Sequence, residues 1–348
     1  MSKLLVIDGG ALINTHFYGA IPGDIRRDFY ALGNNIEEKD RLLRERFSFD
    51  SDGNCTELLS SLTQTILSYK RALDADAIVV CLDGGRDETF RKGLLPEYKA
   101  QRSRGPFALK NTSERLGYVL KEMGIKACRS KTYEADDLAG SIINKFKDEC
   151  EEVYFITRDH DWLQMIDRNV LGLYISDDAY RKQTENCALC HFNERLSLLE
   201  GAPGRLVAYN RDVCKAEEGV YPEEIAFKKA LSGDTSDNYK GIPQIGEKAA
   251  VKLAGTYHTP ENLYLAIQNG YSHKDLGIKK EGFDNLISNP SLLNLMMEIS
   301  TIKTDIPINA SLGNLTCNPT KEDLFRAARA FNFYDKLGFQ NRDDECER

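Results

Sequence analysis

The sequence predicts an α/β fold: a mostly parallel sheet flanked by helices, followed by a helical part. Three observations predict it. Up to residue 175, short β-branched runs alternate with stretches whose apolar residues recur at helical spacing, as in a parallel sheet with crossover helices. From about residue 222 only helical patterns remain. Acidic residues gather at the ends of the strand runs, where an open parallel sheet binds its ligands.

The strand runs are KLLVID (3–8), AIVVCLD (77–83), IKACRS (125–130), VYFIT (153–157) and VLGLYI (170–175). Helical stretches lie between them: TELLSSLTQTILSYKRAL (56–73), ERLGYVLKEM (114–123) and ADDLAGSIINKFKDE (135–149). In the last, Leu138, Ile142, Ile143 and Phe146 share one face. Further on, PEEIAFKKALSG, EKAAVKLAG, PENLYLAIQ, SLLNLMMEIS and KEDLFRAARAF all read as helices. The expected division is 1–215 and 216–348, with a basic arch or loop at 84–115. Residues 20–54, polar and turn-rich, and 177–204, with CALCH, look like insertions, and the charged tail QNRDDECER is expected to fray.

At 348 residues the chain is long enough for about two domains, and 41% apolar residues supply a sizeable core. No run approaches the ~20 apolar residues of a membrane span. Only five apolar residues precede Asp8, too few for a signal-peptide core. Nine scattered cysteines form no disulfide framework, so a reducing, cytoplasmic setting is expected. A net charge of −8 argues mildly against nucleic acid. Two bound divalent ions would bring it to −4, so local clustering of basic residues matters more.

The stretch EADD crowds Glu134, Asp136 and Asp137 together. Like charges about 4 Å apart repel by roughly 1 kcal/mol in water and about 4 kcal/mol near a protein surface. A divalent cation removes that conflict. Asp8 ends the first strand run, Asp83 the second, and EADD opens a helix whose positive end favours anions. A second acidic set joins Asp159 and Asp161 of TRDHD to Asp234 and Asp237 of SGDTSDN. Hard oxygen donors in this number suit Mg²⁺ or Mn²⁺ rather than zinc. Two such sets suggest two ions, roughly 3.5–4 Å apart, clamping an in-line displacement at a phosphodiester.

Next to the second strand end lies GGRDETFRKGLLPEYKAQRSRG (84–105), where Arg86, Arg91, Lys92, Lys99, Arg102 and Arg104 face only Asp87, Glu88 and Glu97. Such a segment suits a nucleic-acid backbone held over the ions. Lys99 offers a point charge to the scissile phosphate, Arg102 a bidentate fork, and Tyr98 a ring for base stacking. In YKGIPQIGEKAA (239–250), Gly241 and Gly246 bracket a hairpin that includes Ile245, where backbone amides can approach a phosphate; Lys248 and Lys252 extend the contact along the next helix.

Taken in order, VIDGGALI (6–13), FRKGLLPEYKAQR (90–102), YEADDLAGSI (133–142), ITRDHDWLQMI (156–166) and LSGDTSDNYKGIPQIGEKAA (231–250) resemble the 5′-nuclease (flap endonuclease) family, which includes phage 5′–3′ exonucleases and the 5′-nuclease domain of bacterial DNA polymerase I. The resemblance covers residues 3 to about 254. It implies a PIN-like nuclease core followed by a helix–three-turn–helix DNA-binding domain, often with K⁺ at its hairpin. It also implies Mg²⁺-dependent cleavage near the 5′ ends of branched or nicked DNA, commonly also of RNA primers. No polymerase domain follows in the sequence, so a free-standing nuclease, as phages commonly encode, is expected, with a monomer as the default. Asp8, Asp83, Glu134, Asp136 and Asp137 match the family's first metal group; Asp159, Asp161, Asp234 and Asp237 match the second. Lys99 and Arg102 match its arch cations and Tyr98 its stacking tyrosine, while Arg26 and Arg27 both stand near the place of a substrate-contacting arginine.

Competing readings are a PIN-type ribonuclease, which would need neither hairpin nor basic segment, and a non-catalytic branched-DNA-binding subunit, which would not need the second acidic set. His160, between two acids, is expected to point away from them, and Trp162 and Met165 to be core. Cys187, Cys190 and His191 have haem-attachment spacing without an export signal; a structural Zn²⁺ there, completed by Cys214, lacks a second close pair and is not expected. KEDLF (321–325) is faintly like a sliding-clamp peptide but is expected to start the last helix.

Overall fold

Leu4 and Val6 lie in one apolar cluster and Leu5 and Ile7 in another, all four fully buried, because alternate side chains of a strand point to opposite faces. A strand buries both faces only in a sheet covered on both sides. That is the arrangement here. The structure, a computed structural model, describes residues 2–85, 88–175 and 206–337.

β1 (Ser2–Asp8) is central, with β2 (Ala77–Leu82) and β3 (Lys126–Arg129) on one side and β4 (Cys150–Thr157), β5 (Val170–Ile175) and β6 (Leu206–Tyr209) on the other. All pairings are parallel except β5 with β6. The order β3-β2-β1-β4-β5-β6 reverses between β1 and β4, which opens a crevice at the carboxyl ends of those two strands. Five strands fall where the sequence predicts them. The short sixth, an antiparallel edge, was not predicted.

α1 (Gly9–Ala20) leaves β1 directly, capped by Asp8, whose carboxylate accepts from the Ala11 amide. Gly9 permits this: a Cβ there would sit 2.9 Å from the Cys81 carbonyl and overlap the Leu82 side chain. α2 (Gly23–Ala31) and α3 (Ile36–Arg44) replace the turn-rich insertion expected at 20–54. Both are polar apart from a narrow stripe that buries Ile25, Phe29 and Leu43, with Phe17 and Phe47 closing the contact edge-on. α4 (Leu59–Ala72) and α6 (Phe107–Glu122) complete that layer; between them runs the short α5 (Phe90–Leu94).

On the other face α7 (Ala135–Phe146) packs with the helices that follow β6: α8 (Arg211–Glu218), α9 (Ile225–Ser232), α10 (Glu247–Tyr257), α11 (Pro260–Gln268), α12 (His273–Leu276), α13 (Lys280–Ser288) and α14 (Pro290–Ser300). A two-residue ribbon, Gly233–Asp234 with Tyr239–Lys240, interrupts the helical series. These helices share one apolar cluster with that face of the sheet. The chain then returns: Leu315 accepts from the Ile78 amide, and α15 (Lys321–Ala330) buries Leu324, Ala327 and Ala328 in the opposite layer. Burial of Leu324 makes KEDLF a helix start, not a free peptide. Among the described residues six cysteines are free, and no helix is long and apolar enough to cross a membrane. The segment with Cys187, Cys190 and His191, together with Arg86, Asp87 and the tail, lies outside the described residues.

Candidate active site

The crevice between β1 and β4 collects carboxylates from five places in the chain. Asp8 ends β1; its Oδ2 accepts from the Thr157 hydroxyl at 2.8 Å, a bond that crosses the crevice. Thr157 in turn accepts from the Asp159 amide at 3.0 Å, tying the start of the TRDHD turn to β1. Asp83 follows β2, and its Oδ1 accepts from the Ala135 amide at the open start of α7, 3.1 Å away. A Cβ on Gly10 would lie 3.2 Å from Asp83 Oδ2 and 3.4 Å from Asp8 Oδ1, so the two carboxylates converge above that glycine.

These acids receive hydrogen bonds from neutral donors. Burial, with Asp83 and Asp159 adding repulsion, pushes Asp8 up to about 7. Asp136 is raised well above the ordinary carboxylate range, by burial first and then by Asp137 and Glu134, against the pull of Arg91. Its nearest cation is the Arg91 guanidinium at 3.8 Å. Among the described residues Asp8 thus has no cation in contact, and Asp136 shares Arg91 with Glu134 and Asp137.

The remaining acids are paired. Asp137 is fully buried and takes a two-pronged bond from Arg91, 2.7 and 2.8 Å, plus the Lys303 amide at 2.9 Å. Glu134 accepts from Lys99 at 2.8 Å and from Arg91 at 3.0 Å; burial would raise it, but the two cations hold it below its usual range. Asp237 accepts from Arg102 at 2.6 Å. Asp234 Oδ2 accepts from Lys229 at 2.7 Å, which overcomes burial and draws its pKa down to about 2. Lys229 also pairs with Asp161, yet burial and Asp159 still push Asp161 up to about 7. Among the described residues, nine acids thus meet four cations, Arg91, Lys99, Arg102 and Lys229, and these contact the acids away from Asp8.

An all-carboxylate donor set in which burial and mutual repulsion raise Asp8, Asp136 and Asp161 suits one or more divalent cations, whose charge removes that repulsion. Glu134, Asp136 and Asp137 each offer an oxygen within 4.8 Å of the others. In this arrangement, however, the oxygens of Asp137 are committed to Arg91, so it anchors that arginine.

The segment after α5 is fastened to the SGDTSDN turn. The Lys99 amide donates to the Asp237 carbonyl at 2.8 Å, Gln101 to Thr235 and Ser236, and Asn238 to the Glu97 carbonyl at 2.6 Å. Lys99 has φ +52°, a left-handed conformation that costs a non-glycine residue roughly 1–2 kcal/mol. Its ammonium sits between Glu134 and Asp237, 2.8 and 3.6 Å away, at the rim of the crevice. Arg102 and Arg104 are exposed on the surface beside it.

Four expected nucleic-acid contacts are corrected by burial. Arg91 is 2% exposed and binds acids and the Ile299 and Thr301 carbonyls. Tyr98 is equally buried, its hydroxyl 2.9 Å from Glu134 and 2.8 Å from Asp237 and its ring stacked on Tyr239, which leaves no face for a base. Ile245 is core. Gly241 is required for packing, since a Cβ would overlap the Leu231 carbonyl and the Gly233 backbone. At the hairpin, Gly246 is open, heads α10 without a side-chain cap, and stands beside exposed Lys248 and Lys252. Lys92 on α5 is half-buried.

His160 turns away from the acids to Glu218, 2.5 Å distant, as expected. Trp162 and Met165 are core, and buried Cys214 contacts the Val220 carbonyl. Arg26 donates to the Ile21 carbonyl and Arg27 pairs weakly with Asp28, both on α2. Thr157 and Lys229 were not foreseen.

A family model described as "5'-3' exonuclease, N-terminal resolvase-like domain" matches residues 3–192, and one described as "5'-3' exonuclease, C-terminal SAM fold" matches residues 220–323. A 5'-3' exonuclease of Mycoplasmopsis pulmonis is 30% identical over 269 residues, 77% of this chain and 71% of that protein. DNA polymerase I of Caldicellulosiruptor bescii is 29% identical over 324 residues, 93% of this chain but 32% of the polymerase, so the chain spans about a third of such relatives. In fold it is similar to a bacteriophage T5 flap endonuclease solved in a pseudo-enzyme–product complex with DNA and metal ions, with a TM-score of 0.55 at 19% identity over 94% of this chain and 99% of that one.

Proposed function

The chain belongs to the 5′-3′ exonuclease family, a nuclease and hence a hydrolase, and from that premise we propose that it cuts phosphodiesters near the 5′ ends of branched or nicked DNA using two Mg²⁺ ions. The observation that carries this reading is the convergence of Asp8, Asp83 and Asp159, with Asp136 close by, at the carboxyl edge of the sheet, where among the described residues Asp8 has no cation in contact, beside a cationic rim. Divalent cations, when bound, polarise the phosphodiester and activate the attacking water. Asp8, Asp83, Asp136 and Asp159 would hold them, with Glu134, Asp161, Asp234 and Asp237 completing the donor set; Mn²⁺ is expected to substitute.

The chain's own cations position the substrate. Lys99 is held charged, since Glu134 and Asp237 outweigh the effect of burial, and it can exchange those carboxylates for a scissile phosphate. Arg102 presents a planar fork at the same rim. Lys248, Lys252 and the open start of α10 suit the backbone of a downstream duplex, a contact that carries no sequence information. The role is replication or repair, with RNA primer ends as a further substrate.

The test is to incubate the protein with 5′-flap, nicked, blunt and single-stranded substrates labelled at either end, in Mg²⁺, Mn²⁺ or chelator. Short products released from 5′ ends only when a divalent ion is present are expected. Intact substrates in every condition would overturn the reading.

A further inference from the structure

Lys229 belongs to no motif, yet its ammonium sits among the second acidic set. It pairs with Asp161 Oδ1 and lies 2.7 Å from Asp234 Oδ2, with its side chain only 16% exposed. The acids around it are held by backbone amides. Asp234 Oδ1 accepts from the Ser236 and Asp237 amides at 2.7 and 3.3 Å, fixing the carboxylate so that Oδ2 faces the lysine. Asp161 lies in the first turn of the short 3₁₀ helix His160–Met165, its amide donating to the capping Asp159 at 2.9 Å. Lys229 itself stands on α9, one turn before the Gly233 that ends the helix. Neighbouring Lys228 turns the other way, to Glu218 at 2.6 Å.

An ammonium bridging two carboxylates from different parts of the chain does what a cation would do there, with half a divalent ion's charge. A divalent ion binding the same oxygens must displace it, because both ligate the same lone pairs and repel each other. We propose that Lys229 is a built-in counter-ion that holds the second cation position and must swing out before a divalent ion can enter it. The Asp8 side, which has no such lysine among the described residues, then fills first, and the second position fills only at higher metal concentration or when a phosphate draws the ammonium away. This rests on the acids being metal-binding as proposed above.

Mn²⁺ binding, followed by the paramagnetic resonance of the free ion, tests it without cleavage. The wild-type chain is expected to show one tight and one weak class of site. Lys229→Met should tighten the weak class at least about tenfold and leave the tight class in place, and Lys229→Arg, which keeps the charge, should leave both classes as in the wild type. Because Lys229→Met could fold poorly, acylation of Lys229 in the wild-type protein is read by mass spectrometry in parallel. Labelling should rise when Mn²⁺ saturates both classes. Unchanged labelling at saturation, or an unchanged weak class in a folded Lys229→Met, would overturn the proposal while leaving the metal reading intact. No Mn²⁺ bound at all would overturn the metal reading itself.

Discussion

The two halves of the acidic crevice use the same side chain in opposite ways. Around Asp8 and Asp83 the carboxylates receive amide and hydroxyl bonds, and Asp8 is pushed up to about 7. Around Asp234 and Asp237 a lysine and an arginine are already in contact, and Asp234 is drawn down to about 2. Burial opposes the charged form in both halves; at the less buried Asp234 the resident Lys229 overcomes it, while the more deeply buried Asp161 beside the same lysine stays raised. The first half is therefore the part that a divalent ion stabilises most, and the second is the part that the protein has already partly neutralised.

The largest effect that would sharpen this contrast is loss of cleavage. Asp8→Asn should lower the rate about a thousandfold or more, since several kcal/mol of charge stabilisation would go with the cation, while DNA binding persists. Equal loss of binding would make Asp8 a structural residue. Next comes Arg91→Ala, which strands Asp137 in the interior. Denaturant melts should show about 3–5 kcal/mol of destabilisation, the usual result when one partner of a buried pair is removed. Unaltered stability with weaker DNA binding would return Arg91 to the interface.

Lys99→Ala should slow single-turnover cleavage about a hundredfold at saturating substrate, with little change in affinity. A change in affinity alone would make it a phosphate contact. Smaller still is the pH dependence of the metal-free protein. Asp8 and Asp161 move from 3.8 to about 7, so between those values the folded chain keeps protons that the unfolded chain has released. Stability should therefore fall as pH rises from about 4 to about 7, and Mn²⁺ should restore it most at pH 8. Asp8→Asn should flatten that slope; an identical slope would mean Asp8 is not short of counter-charge. Last, Lys248→Ala should weaken DNA binding modestly and reduce the salt slope by about one.

The acids were legible in the sequence because their positions follow from chain geometry: strand ends for Asp8 and Asp83, a helix start for EADD. Their partners were not. In KK at 228–229 nothing local distinguishes the lysine that turns to Glu218 from the one that turns to Asp161. In a charge run such as FRKG every arginine reads as solvent-facing, and only the packing of α5 against α14 and α7 shows Arg91 going inward. Tyr98 was misplaced for the same reason. α2 and α3 were missed because they bury only two residues and one residue in all, and β6 because four residues of LVAY give no period. The two-unit division at 215–216 is a proposal drawn from the change of pattern along the chain; the later helices and one face of the sheet share a single apolar cluster.

The most direct test is anomalous diffraction from crystals soaked in graded Mn²⁺. The first ion should appear between Asp8, Asp83 and Asp136 while Lys229 still bridges Asp161 and Asp234. A first ion at the Lys229 position, or none near Asp8 at saturation, would contradict the account.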